Sequence, residues 1–111
     1  MTVASSLGAI QQQIDDWAQR YWNGEYWPPI NNFARLAEEV GELARALNQH
    51  HGPKRIKQGE AAAEIGAELA DVLFALVCIA NSTGVDLQAA WDATLEKYRV
   101  RDVERSSSSD A

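Results

Sequence analysis

The sequence predicts an all-α fold, a single bundle of four helices, and three observations carry that prediction. Apolar residues recur at steps of three and four through most of the chain, which is the period of one helix face. No stretch alternates with the period of two that a half-buried strand requires. Asn-Gly, Pro-Pro, Gly-Pro and a further Gly punctuate the periodic segments where helices must stop and restart. The length, 111 residues, is that of one domain, and a hydrophobic content of 46% separates it from disordered chains. The predicted domain spans residues 1–105, followed by a flexible Ser-rich tail at 106–111.

Leu7, Ile10, Ile14, Trp17 and Tyr21 line one face of a first helix, which Asn23-Gly24 stops. Pro28-Pro29 postpones the second helix until Asn31 or Asn32 can cap it. Its apolar stripe is Phe33, Leu36, Val40, Leu43 and Leu47, and it ends near Asn48. A polar, basic loop follows, with His50 and His51 beside Gly52-Pro53 and with Lys54, Arg55 and Lys57. The third helix is predicted from about Glu60 to Ser82, with Gly84 just beyond it. Asp86 can cap a fourth helix bearing Leu87, Ala90, Trp91, Leu95 and Tyr98.

The third helix is apolar nearly all round from Val72 onward, so it should be surrounded by other helices. Three short partners in one small chain are too few to do this, which predicts a homodimer or a tetramer.

Composition excludes several classes of function. One cysteine cannot form an internal disulfide, which points to a reducing compartment. No basic residue precedes an apolar core at the N-terminus, so no signal peptide is read. The most apolar run, Leu69 to Ala80, contains Asp71 and is too short to span a bilayer. The net charge of −6 has the wrong sign for binding a nucleic-acid polymer. A cytoplasmic protein without membrane association is expected.

The acidic excess is local. The second helix reads LAEEVGELA and supplies Glu38, Glu39 and Glu42; the third reads ELADVLF and supplies Glu68 and Asp71. Residues three or four apart share a helix face, so two such helices packed antiparallel would set up to five carboxylates around one volume. Removing these five would bring the net charge from −6 to −1. Like charges at this spacing weaken a helix by several tenths of a kcal/mol per pair, and no basic residue obviously offsets them. Hard divalent cations bind oxygen ligands, and a metal held there could clamp a phosphoryl group and activate a water. The competing reading is a helical interaction module whose glutamates form a solvated face.

LAEEVGELARALN, followed after a loop by ELADVLFALVCIAN, resembles the MazG-like all-α nucleotide pyrophosphohydrolases, in particular their short single-domain bacterial subgroup. The resemblance runs from Tyr26-Trp27 through Tyr98-x-x-Arg101-Asp102. It implies Mg²⁺-dependent hydrolysis, with Mn²⁺ as a possible substitute, of a nucleoside triphosphate to the monophosphate and pyrophosphate, and a role in nucleotide-pool house-cleaning. Carried over by motif position, Glu39, Glu42, Glu68 and Asp71 would be metal ligands, and Glu38 would contact a metal or help deprotonate the water. Tyr98 and Arg101 fall where relatives approach the phosphates. The lysine that many relatives carry four residues earlier is Thr94 here, which leaves Lys54 in the loop as a substitute. Asn31 stands where relatives often set a polar residue against the base, a role that competes with capping the helix.

Tyr21, Trp22, Tyr26 and Trp27 crowd four aromatics in front of the acidic helix. A nucleobase needs a flat partner, and stacking contributes about 1–3 kcal/mol per base. Trp27 is the best candidate for this role; packing at the end of the bundle is the alternative for each of the four. No other His or Cys has metal-site spacing with His50 and His51, which fit an exposed loop. Cys78, between Val77 and Ile79, reads as a small buried hydrophobe.

Overall fold

The computed structural model describes residues 6–53 and 62–109. These form four helices: α1 (Leu7–Tyr21), α2 (Pro29–His51), α3 (Ile65–Thr83) and α4 (Leu87–Ser109). Ser6 caps α1, its hydroxyl accepting the Ala9 N–H at 3.1 Å. The helix closes where Asn23 and Gly24 turn left-handed, at φ 54° and 75°. There the Trp22 and Gly24 amides donate to the Ala18 carbonyl.

α2 begins earlier than the sequence predicts. Proline at the first helical position has no N–H to leave unsatisfied and carries a preset φ, so the helix starts at Pro29 and needs no Asn cap. Asn32 consequently falls inside the first turn and is buried. α2 also runs on through His50 and His51, which therefore lie in a helical turn and not in a loop. Histidine suits the negative end of a helix. α3 starts at Ile65, later than the predicted Glu60, because Ala63 is already engaged by α2. The Ala63 N–H donates to Gln49 Oε1 and its carbonyl meets His50 Nε2, each at 2.8 Å. Gly84 ends α3 at φ 72°, with the Val85 N–H returning to the Ala80 carbonyl. Asp86 caps α4 as predicted, accepting the Ala89 N–H at 3.1 Å. No Gly or Pro interrupts the last helix, and its backbone stays helical through Ser106–Ser109, the run assigned to the tail.

α2 and α3 pack antiparallel as the main helix pair, and α1 packs antiparallel to α3 on its other side. The core is small: Ile14, Val77 and Cys78, flanked by Ile10, Trp22, Tyr26, Phe74 and Leu87. Alanines at 18, 46, 75 and 80 are also buried and let the helices approach closely. A polar network ties this core to the chain turns. Gln11 donates to Asn81 Oδ1 and to the Val85 carbonyl, both at 2.8 Å, and accepts the Leu87 N–H. Asn81 donates in turn to the Gln11 carbonyl and to the Tyr26 hydroxyl, and that hydroxyl donates to Asp15 at 2.5 Å. These bonds fix the end of α3, the start of α4 and the aromatic turn against α1.

Much apolar surface is uncovered in the single chain. α3 is not enclosed: Leu69 is 51% exposed, and Leu73 and Leu76 are also exposed. Phe33, Val40 and Leu47 on α2 and Trp91, Leu95 and Tyr98 on α4 are exposed as well. α4 packs on α1 near its own start and then diverges. The Cα radius of gyration is 18.2 Å; a compact domain of this length would have about 13 Å. α3 has the length and composition to cross a bilayer, with a mean hydropathy of 1.6, but Glu68 and Asp71 in its first two turns face α2.

The network predicts a measurable contribution from one hydroxyl. Tyr26→Phe removes one donor and one acceptor and should cost about 1–3 kcal/mol in urea unfolding. Partial burial and the bond to Asp15 push the Tyr26 phenol up to about 12. The folded state therefore holds this proton more tightly than the unfolded chain, and stability should fall as pH rises from about 10 toward 12. In Tyr26→Phe that alkaline slope should be shallower, as monitored by circular dichroism.

Candidate active site

The antiparallel pair puts the third turn of α2 opposite the first two turns of α3. Glu39, Glu68 and Asp71 converge there, with one carboxylate oxygen from each lying within 4.8 Å of the others. Glu39 and Glu68 are half-buried and Asp71 is exposed. The Glu68 carboxyl is raised above its ordinary range, first by partial burial and then by the charges of Asp71, Glu42 and Glu39. Arg45 acts in the opposite direction but does not cancel them. Glu42 thus stands close enough to be felt at the cluster, although it is outside the convergent trio. Oxygen-only donors at this separation, crowded to the point of raising one carboxyl, form a set that suits a hard divalent cation.

Glu38 is exposed and stands outside the trio. It lines an open groove with Glu39, Asn31, Trp27, Ile30 and Arg35. One continuous depression therefore holds three residues predicted from the sequence to touch substrate or water, and it runs up to one of the cluster acids. A second cavity of about 440 Å³ adjoins it and shares Trp27 and Arg35. Its other walls include Trp22, Tyr26 and the buried Asn32. Sequence reasoning read Asn32 only as a candidate helix cap and gave Arg35 no place in the site. Their signal was spacing: Asn32, Arg35 and Glu39 are three and four apart and share a face of α2.

Tyr98 and Arg101 do not line this groove. They lie on α4, where the Arg101 guanidinium sits over the Tyr98 ring at 4.6 Å and bonds Asp102. Lys54 lies outside the described residues.

The model of the MazG nucleotide pyrophosphohydrolase domain matches residues 28–106. The chain belongs to this family. Among curated proteins, the MazG-family chain is 41% identical over 96 residues to the uncharacterized protein YpjD of Bacillus subtilis, covering 86% of each. The crystal structure of YpjD superposes with a TM-score of 0.75 at 35% identity, over 90% of this chain and 99% of that one. The Bacillus-conserved MazG protein, a nucleotide pyrophosphohydrolase, gives 0.72 at 35% identity, over 87% and 93%. The carboxylate cluster thus lies within a MazG domain, whose family hydrolyses nucleotides, and Trp27 of the groove stands one residue before the matched range.

Two outcomes test this geometry. Without metal, the folded state binds the Glu68 proton more tightly than the unfolded chain does. Apo stability should therefore decline as pH rises from the ordinary glutamate value through the raised one. Glu68→Gln should flatten that decline and leave the metal-free melting temperature unchanged or higher, in thermal melts with chelator. If Trp27 forms a wall for substrate, Trp27→Ala should raise KM more than it lowers kcat. An unchanged KM with a large loss of stability would make Trp27 a packing residue only.

Proposed function

We propose that this MazG domain is a Mg²⁺-dependent nucleoside triphosphate pyrophosphohydrolase, able to use Mn²⁺, that releases the monophosphate and pyrophosphate. The convergence of Glu39, Glu68 and Asp71 is the observation that carries this reading. In it, Glu39, Glu42, Glu68 and Asp71 hold the cation. When bound, the cation polarises the phosphate oxygens, neutralises charge and lowers the pKa of an adjacent water. Glu38, in the groove beside Glu39, takes the proton as water attacks the α-phosphorus and pyrophosphate leaves. Trp27 and Asn31 line the same groove on the nucleoside side.

Tyr98, Arg101 and Lys54 are the candidates for the phosphates. α4 carries the first two away from the groove of its own chain, so the active form proposed is a homodimer or a tetramer in which α4 of a second copy approaches the α2–α3 pair. The exposed apolar faces of α2, α3 and α4 and the large radius of gyration support that assembly. A cytoplasmic role in clearing nucleotides from the pool fits such an activity.

Pyrophosphate release measured across ribo- and deoxynucleoside triphosphates should be metal-dependent. Glu68→Gln and Asp71→Asn should lower it by orders of magnitude. Mg²⁺ should raise the melting temperature of the wild type and change that of the two variants much less. No release from any triphosphate with Mg²⁺ or Mn²⁺ would remove the enzymatic reading. Sedimentation should give a particle at least twice the 12.2 kDa chain mass, and a stable monomer would remove the assembly.

A further inference from the structure

Arg35 is a cation that the fold holds in place without giving it a counter-charge. It is half-buried on α2 and lines both the open groove and the adjoining cavity. Its guanidinium lies over the Phe74 ring at 5.3 Å, and Trp22 braces that ring edge-on at 5.9 Å. Among the described residues Arg35 has no ion pair, although Glu25 shares its cavity. Glu38 and Glu39 also follow it at three and four residues, the spacing at which helical ion pairs form. Nor does Arg35 relieve the cluster, since Arg45 is the cation that lowers the raised Glu68 carboxyl. A half-buried cation fixed on a ring and left without a carboxylate is set to meet an anion from outside.

The order of residues along the groove says which part of that anion it would meet. Asn31, Arg35 and Glu39 line the groove at intervals of four residues, so each stands about 6 Å along α2 from the one before. α3 answers in the same order: Asp71 meets Glu39, and Phe74, one turn further on, carries Arg35. One helical turn therefore separates the carboxylate layer from the Arg35 layer, on the side of Asn31 and Trp27. A nucleotide with its nucleoside at Trp27 and Asn31 and its outer phosphates at the cluster passes its first phosphate across Arg35.

We propose that Arg35 is a further catalytic residue, its guanidinium donating to the non-bridging oxygens of the α-phosphate. In the attack a water oxygen forms a bond to the α-phosphorus and its proton passes to Glu38. The bond from the α-phosphorus to the bridging oxygen breaks, and pyrophosphate leaves with the electron pair. Arg35 stays protonated throughout and offsets the negative charge that the α-phosphate oxygens gain as water adds. Its planar fork matches two phosphate oxygens, and the Phe74 ring holds that fork before substrate arrives. This contact comes from the same chain as the carboxylates, unlike those proposed for α4 of a second copy. The inference rests on the pyrophosphohydrolase reading for its reaction.

The test compares each common nucleoside with its 5′-monophosphate, a pair that differs only in the phosphate. Binding with Mg²⁺ present is followed by tryptophan fluorescence, and pyrophosphate release is then measured for the matching triphosphates. The wild type should bind the monophosphate at least tenfold more tightly than the nucleoside. Arg35→Met keeps a stem over Phe74 and should cut that ratio at least fivefold, with nucleoside affinity held within about twofold. Its kcat should fall at least a hundredfold, while the rise in melting temperature with Mg²⁺ stays as in the wild type. If that variant fails to fold, Arg35→Lys, which keeps a charge and loses the fork, should still lower kcat at least tenfold. A wild-type ratio near one would overturn the proposal, as would an unchanged ratio in folded Arg35→Met or a parallel loss of nucleoside and monophosphate. A monophosphate preference that depends on Arg35 without pyrophosphate release would remove the hydrolase and keep the contact. Full pyrophosphate release by Arg35→Met would do the reverse.

Discussion

The packing of α2 on α3 forces Glu39, Glu68 and Asp71 within 4.8 Å of one another, and the rest of the molecule can be understood around that enforced repulsion. Two helices of ordinary amphipathic character would separate these charges if they could. They cannot, because buried Ala46 and Ala75 permit close approach, and α1 presses Ile14 against Val77 and Cys78 from the far side. The charge cluster is thus held by apolar contacts that lie away from it. Glu68 registers the strain, its carboxyl raised by burial and by its acidic neighbours. A site that is unfavourable alone and favourable with a cation has its binding energy set in advance by the fold.

The same economy leaves little apolar material inside the chain. Among the described residues the buried hydrophobic side chains larger than alanine are Ile14, Val77 and Cys78. The leucines that would enlarge this core, at 69, 73 and 76, are on the outside of α3, and α4 buries none of its large side chains. A surface of this kind is normal for half of an obligate interface and unusual for a free monomer. The proposed assembly would thus complete the core and the phosphate side of the site in one step.

The aromatic turn between α1 and α2 connects these two halves of the argument. Tyr26 is anchored to α1 through Asp15 and to α3 through Asn81, and Gln11 carries the connection on to the start of α4. Trp22 and Trp27 are positioned by that anchor next to the acidic groove. The turn that ends the first helix therefore also shapes the surface where a nucleoside would lie.

The number of helices, their apolar stripes, the Gly84 stop, the Asp86 cap and the acidic motif were all legible in the sequence, because each depends on residues within one or two helical turns. The ends of α2 and the start of α3 were not. Pro29 starts a helix where proline was expected to delay one, and Ala63 is drawn out of α3 by side chains of α2. Spacing placed five carboxylates on two faces, but the crossing of the helices decided that Glu39, Glu68 and Asp71 meet, while Glu42 stands beside them and Glu38 lines the groove that Glu39 also borders. Asn32 shows the same division. In sequence it is one of two asparagines suited to a cap, and only the start of α2 at Pro29 makes it a buried amide facing a cavity. By itself the sequence determined what each helix is made of, since periodicity and capping are local. Tertiary structure alone decided which groups share a volume, since that depends on where two helices cross and which side chains the crossing encloses.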